Sequence, residues 1–497
     1  MVSLASLLAG IIAIDPEEDT IISGISLDSR MVKPGDLFVA YPGEISDGRD
    51  FIESAIASGA VAVLKEGSLH SEGKKTHGGT DYFSFSIPQL QQKISHIAAR
   101  FYEHPSRRLN ITGITGTNGK TSIAYLLACM INLLESKETC TYMGTLGTGF
   151  PQQLQESSHT TEDAINLQKT LAQYLKKGIT HVSMEVSSHA LAQGRVARVE
   201  FDTAVFTNLT RDHLDYHETM EAYGAAKAQL FQQFGLKSAI INKDDAFGAQ
   251  LAESLPPSIF TLQYSLKDEK ADLYANEVVI TDHGTEMFVR TPWGEGKIKT
   301  SLLGEFNVSN LLAVLGVLGT SYPFEKVLTC VEKLSPVPGR LQHIYNPNRL
   351  KGPWCLVDYA HTPDALENAL LTAKKIAQEK QSELWCVFGC GGDRDAGKRP
   401  LMGAIAEKFA DHIVITNDNP RTESPTVIIQ DILQGMTGQH PDVQVVLDRR
   451  EAITKAFNTS ENSIILIAGK GHEPYQIIGN EKFEFSDIDV CRSLTEF

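Results

Sequence analysis

Positive charge is in short supply. The chain of 497 residues has 45 lysines and arginines against 61 aspartates and glutamates, a net charge of −16. General binders of nucleic acid or anionic membrane show the opposite balance, so neither partner is expected, although local basic pockets remain open. Long apolar runs are missing too. None approaches the roughly 18 to 20 residues that span a bilayer, and no membrane insertion is expected. No Lys or Arg precedes Arg30, and the apolar stretch 4–14, LASLLAGIIAI, runs straight into DPEED. A secretory signal needs a basic start and a small-residue cleavage site, so this stretch reads as a buried first helix with a turn. Cysteine is scarce: seven, an odd number, scattered at 129, 140, 330, 355, 386, 390 and 491. Only Cys386 and Cys390 are close, and no zinc spacing occurs. That pattern points to buried reduced thiols in a cytoplasmic protein. There is no internal repeat and no low-complexity tract.

What is present is ordinary in bulk: 42% hydrophobic and 21% charged residues, as in soluble globular proteins. A chain of this length exceeds one hydrophobic core, so two to four domains are expected. The most informative stretch is 109–122, LNITGITGTNGKTS. Leu109, Ile111 and Ile114 read as a short buried strand. Gly113, Gly116 and Gly119 follow, then Lys120 and Thr121. The next segment has apolar residues at 123, 126, 127, 130, 133 and 134, which is helical spacing. Strand, glycine loop, Lys-Thr and helix form the context of a phosphate-binding loop. Glycines let backbone N–H groups close on phosphate oxygens, the helix start adds positive potential, Lys120 reaches the terminal phosphates and Thr121 ligates magnesium. The strict pattern needs Gly at 114, where Ile stands, so GTNGKT is a variant. Gly116, Thr117, Asn118, Gly119, Lys120, Thr121 and Ser122 are the candidate ATP contacts.

Residues 1–106 read as a first unit. IISGISLDSRMVKPGDLFVAYPG alternates between turn signals, as short strands do. FIESAIASGAVAVLKEG reads helix, glycine stop, strand. SLHSEGKKTHGGTDY reads as a polar surface loop, and IPQLQQKISHIAARFYEHPS as an amphipathic helix ending at His104-Pro105. LDSR (27–30) alone is a solvated turn. In the second unit, 107–338, SSHTTED (157–163) offers Thr or Asp as a helix cap. One buried strand ends in Glu185, Ser187, Ser188 and His189; another, TAVFTNL, runs into Asp212 and His213. Ligands gather at the carboxyl ends of strands in open α/β sheets. Glu185, Asp212 and His213 with Thr121 therefore make a candidate magnesium and phosphate environment. Residues 270–300 read as β ribbon, and 302–318 as a helix starting at a polar cap, with Asn307 or Asn310 facing the crevice. PVPGR (336–340) is a hinge. The third unit, 339–497, alternates strand and helix as a doubly wound α/β domain. Its strand ends carry Asp358, Arg394, Asp418, Asn419, Arg421, Lys470, His472 and Glu473. GCGGDRD lacks G-x-G-x-x-G and says little alone.

Taken in order, GTNGKT, EVSSH, TNLTRDHLDYH, FNVSN, GR, DYAHTPDAL, GCGGDRD, DNPR and AGKGHE resemble the motifs of the Mur ligases over the whole chain. The resemblance implies an α/β protein of three domains: a small N-terminal α/β domain (1–106) for the UDP end of the substrate, a central P-loop-type ATPase domain (107–338), and a C-terminal Rossmann-like domain (339–497) that brings the amino acid. It implies a cytoplasmic enzyme of peptidoglycan precursor synthesis, expected to act as a monomer. Its substrates would be ATP, UDP-MurNAc-L-Ala-D-Glu and meso-diaminopimelate. ATP phosphorylates the D-glutamate side-chain carboxylate, and the amine captures the acyl phosphate. Moving phosphoryl between two anions needs concentrated positive charge, which Lys120 and magnesium supply.

The resemblance also implies residue roles. Thr121, Glu185 and His213 associate with the metal; Asn310, Arg340 and Asp358 meet ATP. Lys227 on composition alone is a solvated helix lysine. The resemblance makes it a lysine carbamylated by CO2 and an anionic magnesium ligand. Its amine must be neutral to react, so a depressed pKa is expected. Lys120, Lys227 and His213 are the catalytic candidates. For the UDP-MurNAc-dipeptide the matching positions are Leu27, Ser29, Glu44, Ile45, Ser46, His159, Thr160, Thr161, Ser187, Gln193 and Arg195. Residues 44–46 depart from the His-Gln-Ala common in relatives, and His159 from the common Asn. Asp418, Asn419, Pro420 and Arg421 resemble the signature of diaminopimelate-adding members. The Arg421 guanidinium can pair with the second carboxylate that lysine lacks, and leaving it unpaired penalises lysine. Arg394, Gly469 and Glu473 match positions for the other end, with Glu473 suited to an ammonium. A lysine-adding ligase, a folylpolyglutamate synthase, and a nucleotide-driven switch without ligation stay open as alternatives.

Overall fold

The computed structural model describes residues 1–43, 46–157, 159–281, 283–344, 352–459 and 462–495. The chain divides into two compact units: 1–113 with 138–204 and 229–237, and 114–137 with 205–228 and 238–497. Among the described residues no helix is long and apolar enough to cross a membrane.

In the first unit, the strands Gly24–Ser26, Asp36–Ala40, Ala62–Glu66 and Thr80–Ile87 run parallel, and His70–His77 closes the edge antiparallel. Leu37 and Val39 face one core with Leu4, Leu7 and Leu8 of the first helix, Leu4–Leu8, and with Ile94, Ile97 and Ala98 of the helix Leu90–Phe101. Residues 68–82 correct the expectation of a loop: they contribute to a hairpin, His70–His77 with Thr80–Ile87. Gly78 and Gly79 at φ +56° and +84° supply its two-residue turn, the geometry that matches strand twist. A polar strand is tolerated there because it lies at the sheet edge. Farther along, Cys140–Gly144 pairs parallel with His181–Glu185 and antiparallel with Gly147–Phe150. Asp163 caps the helix Ala164–Lys176 by accepting from the N–H groups of Ile165 and Asn166.

In the second unit, the helix Lys120–Glu135 is buried on nearly every side. Ala124, Ala128 and Ile131 are in the core with the expected positions, and Leu133 is the exception, 38% exposed. Ser238–Asn242, Phe260–Ser265 and Leu273–Thr281 run parallel, and Gly284–Thr291 and Gly294–Thr300 extend them as the expected ribbon. The helix Glu305–Leu318 does not start at a polar side-chain cap. It starts at Gly304, whose φ of +96° and a Cβ that would lie 2.7 Å from the Phe306 ring exclude a side chain.

The last sheet orders its strands Gln342–Ile344, Trp354–Asp358, Ser463–Ala468, Glu383–Phe388, His412–Ile415 and Val443–Val445, parallel except for the first. Alternate residues serve two cores. Leu356, Cys386, Ile413 and Leu466 meet Leu370, Met402 and Ile428 on one face. Val357, Trp385, Val414 and Ile465 meet Ile453, Phe457 and Val490 on the other. Strands covered on both faces read as near-continuous apolar runs, and this is the doubly wound layer expected. All seven cysteines are free.

One fully buried ion pair anchors the second face. Arg449 Nε and Nη2 each lie 2.8 Å from an Asp487 carboxylate oxygen, and Nη2 also donates to Ala468 O at 2.9 Å. Asp487→Ala strands a buried guanidinium, at a cost of about 3–5 kcal/mol. The expected outcome is an earlier urea transition followed by the fluorescence of Trp385, which shares that core; an unchanged midpoint would contradict it.

Candidate functional site

The glycine loop is held rigid by its own neighbours. Gly116 has φ +147°, and a Cβ there would lie 1.7 Å from Thr207 Oγ1; Gly119 has φ +87° and a Cβ would lie 2.7 Å from Asn310 Oδ1. Only glycine fits both. Thr117 N donates to Asn208 O (2.8 Å), Asn118 N to Asn208 Oδ1 (2.9 Å), and Thr207 Oγ1 to Asn118 O (2.6 Å). Lys120 Nζ donates to Gly116 O (2.9 Å) and Thr117 O (2.8 Å). Thr121 and Ser122 are buried at the start of the helix.

The structure gathers most of the predicted nucleotide residues here. Lys227 is 1% exposed, and its Nζ donates to Gly116 O at 2.7 Å. Burial first, then the nearby Lys120, hold its amine well below the ordinary lysine value, against the pull of Asp212. Arg340 Nη2 donates to Thr121 Oγ1 (2.9 Å), and its guanidinium lies over the Tyr359 ring. Arg340 Nε is buried and, among the described residues, has no hydrogen-bond partner, so the site offers a nucleotide an unspent donor. Asn310 Nδ2 donates to Asn307 Oδ1. Asp358 accepts from the N–H groups of Leu341 and Ala360. Burial raises its carboxyl despite Arg340, which suits an anchor of the hinge backbone.

Asp212 sits at the centre of a charged cluster. His213 Nε2 lies 3.4 Å from its carboxylate, Lys398 Nζ 3.6 Å and His361 Nε2 3.8 Å. Burial works to raise the Asp212 carboxyl, but His361, Lys398 and His213 override it and hold the group well below the usual range. Lys398, His361, Asp364 and Asn208 join the site without having been expected there. Asp364 accepts from Asn118 Nδ2 at 2.8 Å. His361 and Asp364 lie in DYAHTPDAL and Asn208 in TNLTRDHLDYH, while Lys398 follows GCGGDRD outside any motif; only folding shows what they face.

The carboxyl ends of the parallel strands form the crevice of the last sheet. Gly391, which follows one strand, lies against both arginines of interest: a Cβ there would be 3.0 Å from Arg421 Nη1 and 3.9 Å from Arg394 Cγ. Arg421 has φ +50° and donates from Nη1 to Gly392 O at 2.7 Å. Burial and Arg394 hold its pKa below the usual value. Arg421 is thus acted on by Arg394 and, in the opposite sense, by the carboxylates Asp418, Glu473 and Asp393. Asp418 packs against Gly469, where a Cβ would lie 2.3 Å from Asp418 Oδ2. Glu473 Oε2 accepts from Lys470 Nζ (3.0 Å) and Asn419 Nδ2 (2.9 Å). The ammonium beside Glu473 is thus a buried lysine of the chain itself, a partner the sequence did not reveal. Pro420 stands between Asn419 and Arg421 in the same turn.

The first unit has its own cavity, about 150 Å³, lined by Leu27, Tyr41, Gln91, Ile94, His159, Asp163, Ala164, Gln193 and Arg195. Leu27, His159, Gln193 and Arg195 were expected. Tyr41, Gln91, Ile94 and Ala164 were not, because nothing in their local sequence marks a site, and Asp163 was expected only as a helix cap. Arg195 donates to Gln193 Oε1 (2.7 Å) and Thr161 O (2.9 Å); Thr161 Oγ1 bridges Glu185 O and Ser187 N. Thr160 Oγ1 lies 3.2 Å from Thr145 Oγ1. Ser29 is buried in a short turn. Ser46 O accepts from Gly43 N, and Glu44 and Ile45 lie outside the described residues. Glu185, 1% exposed, accepts from Tyr142 OH (2.5 Å) and Thr145 N (2.8 Å).

Comparison with known proteins covers the whole chain. Residues 21–102 match the model of the Mur ligase family, catalytic domain; 114–318 that of the Mur ligase middle domain; 339–471 that of the Mur ligase, glutamate ligase domain. A protein of Ectopseudomonas mendocina named UDP-N-acetylmuramoyl-L-alanyl-D-glutamate--2,6-diaminopimelate ligase is 47% identical, over 95% of this chain and 94% of its own. The protein of the same name from Coxiella burnetii is 47% identical over 95% and 96%. A solved structure of a ligase of that name is 38% identical with a TM-score of 0.68, covering 100% of this chain and 99% of its own.

A depressed carboxyl stabilises the fold above its unfolded value and ceases to do so as pH falls through the folded value. Asp212→Asn should therefore lower the thermal midpoint at neutral pH. The gap from the parent should close as pH falls below about 4, where the unfolded carboxyl protonates. Melting curves across that range check it; a gap independent of pH would contradict the cluster's charge.

Proposed function

The chain belongs to the Mur ligase family, and on that footing we propose that it joins meso-2,6-diaminopimelate to the D-glutamate side-chain carboxylate of UDP-MurNAc-L-Ala-D-Glu, converting ATP to ADP and phosphate. The observation that carries the choice of amine is the meeting of Arg394 and Arg421 beside Gly391. A second carboxylate on the incoming amino acid satisfies that charge, and lysine leaves it unpaired. The name shared by relatives 47% identical over nearly their full length supports the same reading. We keep the functional division into 1–106, 107–338 and 339–497, which the hinge at 336–340 and the ranges of the family matches support.

The chemistry follows from the residues. An ionised carboxylate resists an amine because its leaving group is oxide. A carboxylate oxygen of the dipeptide attacks the γ-phosphorus, and the bond to ADP breaks. The amine nitrogen then attacks the acyl carbon, the bond to phosphate breaks, and the nitrogen gives up a proton as the amide forms. Residues Gly116 to Ser122 bind the nucleotide phosphates, and Lys120 turns from the loop carbonyls to the oxygens on which charge develops. Arg340 uses its spare Nε on the nucleotide, with Asn310 on the loop's other side. Asp358 holds the hinge that places Arg340.

Magnesium fits the donor set if Lys227 is modified. Thr121 keeps an oxygen lone pair beyond the one Arg340 uses, and His213 adds a ring nitrogen; Glu185 joins the set on the family resemblance alone. Lys227 as an ammonium would repel the ion, whereas its carbamate would bind it. When bound, magnesium supplies positive charge to the phosphate oxygens. The neutral, buried Lys227 amine is the form that reacts with CO2. Leu27, Ser29, residues 44–46, His159, Thr160, Thr161, Ser187, Gln193 and Arg195 hold the UDP-MurNAc-dipeptide. Asp418, Asn419, Pro420, Gly469 and Glu473 frame the diaminopimelate. We place the reaction in the cytoplasm, carried out by a monomer.

Phosphate release in the presence of ATP, magnesium and the UDP-dipeptide tests the reading: meso-diaminopimelate should drive it and lysine should not. Equal rates would favour the lysine-adding alternative. Release that needs no amino acid would favour the nucleotide switch. Arg421→Lys should lower kcat/KM for meso-diaminopimelate about 100-fold while changing that for lysine little. Lys227→Ala should abolish ligation, and the carbamate signal of the parent in 13C-bicarbonate NMR should vanish with it. A variant that kept full activity would exclude the carbamate.

A further inference from the structure

A second cavity in the first unit, about 260 Å³, is lined by His96, Arg100, His104, Arg107, Arg198 and Glu200, with Ala197, Val199, Gln233 and Phe234 completing the wall. It shares no lining residue with the cavity described above. Its charge runs against that of the chain. Its lining holds three arginines and one glutamate, a formal +2 at neutral pH in a protein of net −16.

Among the described residues, most of that donor capacity is unspent. Arg107 Nε donates to Glu200 Oε1 (2.8 Å), Arg100 Nη1 to Leu7 O (2.8 Å), and Arg198 Nε lies 3.0 Å from each ring nitrogen of His96. Each guanidinium has five N–H donors, and each commits one in these contacts. Burial, with Arg198 and Arg100, holds His96 below the ordinary imidazole value. His104 is held low by burial and Arg107, against Glu200. The cavity's charge at neutral pH is therefore carried by the arginines. Phe234, 83% exposed, forms an apolar rim with Ala197 and Val199.

A carboxylate has too few oxygens for these donors and too little charge for this field. A phosphate dianion has three terminal oxygens that match planar guanidinium forks, and the volume leaves room for a substituent against Phe234. We propose that this cavity is a binding site for a phosphate monoester or diphosphate carrying a small apolar or aromatic group.

The full chain, with ADP, magnesium and UDP at saturating concentrations to fill the other sites, is titrated calorimetrically with phenyl phosphate, pyrophosphate and benzoate. One saturable site is expected for phenyl phosphate and pyrophosphate, and at least tenfold weaker binding of benzoate. The doubly substituted variant Arg107→Ala, Arg198→Ala should bind both phosphates at least about tenfold more weakly. Phe234→Ser, at an exposed position, should weaken phenyl phosphate and leave pyrophosphate unchanged. Co-sedimentation of the parent with phosphatidic acid vesicles, and not with phosphatidylcholine vesicles, would assign the phosphate to a lipid headgroup; no co-sedimentation assigns it to soluble esters. Absence of saturable binding of either phosphate, or equal binding by the parent and a doubly substituted variant of unchanged melting temperature, would overturn the proposal.

Discussion

Two lysine amines share one carbonyl oxygen. Gly116 O accepts from Lys120 Nζ at 2.9 Å and from Lys227 Nζ at 2.7 Å. The carbonyl cannot swing away, because Gly116 is locked at φ +147° against Thr207, and Thr207 in turn clamps Asn118 O. Two ammonium charges so close repel, and the buried one gives way, since burial already disfavours its charged form. Burial and the neighbouring Lys120 thus hold the Lys227 amine well below the ordinary lysine value, which favours its neutral form. A single rigid turn brings two lysines to one carbonyl and biases the buried one toward its neutral amine.

The rest of the second unit is arranged around that turn. Arg340 reaches Thr121, Asp364 reaches Asn118, and Asp395 pairs with Arg211. All three contacts join residues after the hinge to residues before it, and all are polar. An apolar patch adds to them: Ile280 and Leu303, with Phe306 alongside, pack in the core that contains Leu366 and Leu370. Contacts of this mixed kind permit motion more readily than a continuous core does. A ligase that makes an acyl phosphate gains from such motion, since closure excludes the water that would hydrolyse it.

Much of this was legible in the residues, and the reason is steric or electronic in each case. The loop glycines were readable because positive φ and close approach leave no substitute. Lys227 was readable only through the order of motifs, since nothing local distinguishes it from a solvated helix lysine. The hairpin at 70–87 was hidden because an edge strand carries no apolar alternation, although Gly78-Gly79 marked its turn. Tyr41, Gln91 and Ile94 were hidden because the cavity they line is assembled from elements far apart in the chain. The Lys470–Glu473 pair was hidden for a different reason: both stand at a strand end that reads as crevice lining, with Glu473 suited to a substrate ammonium, and only folding turns them toward each other.

The ionisation of Lys227 is the most direct test. In protein labelled with 13C at the lysine ε-carbon and freed of CO2, the Lys227 signal, assigned by its loss in Lys227→Ala, should titrate well below the ordinary lysine value of about 10.4. The midpoint should move up when Lys120 is replaced by Met. A midpoint at the ordinary value, unchanged by Lys120→Met, would contradict the account.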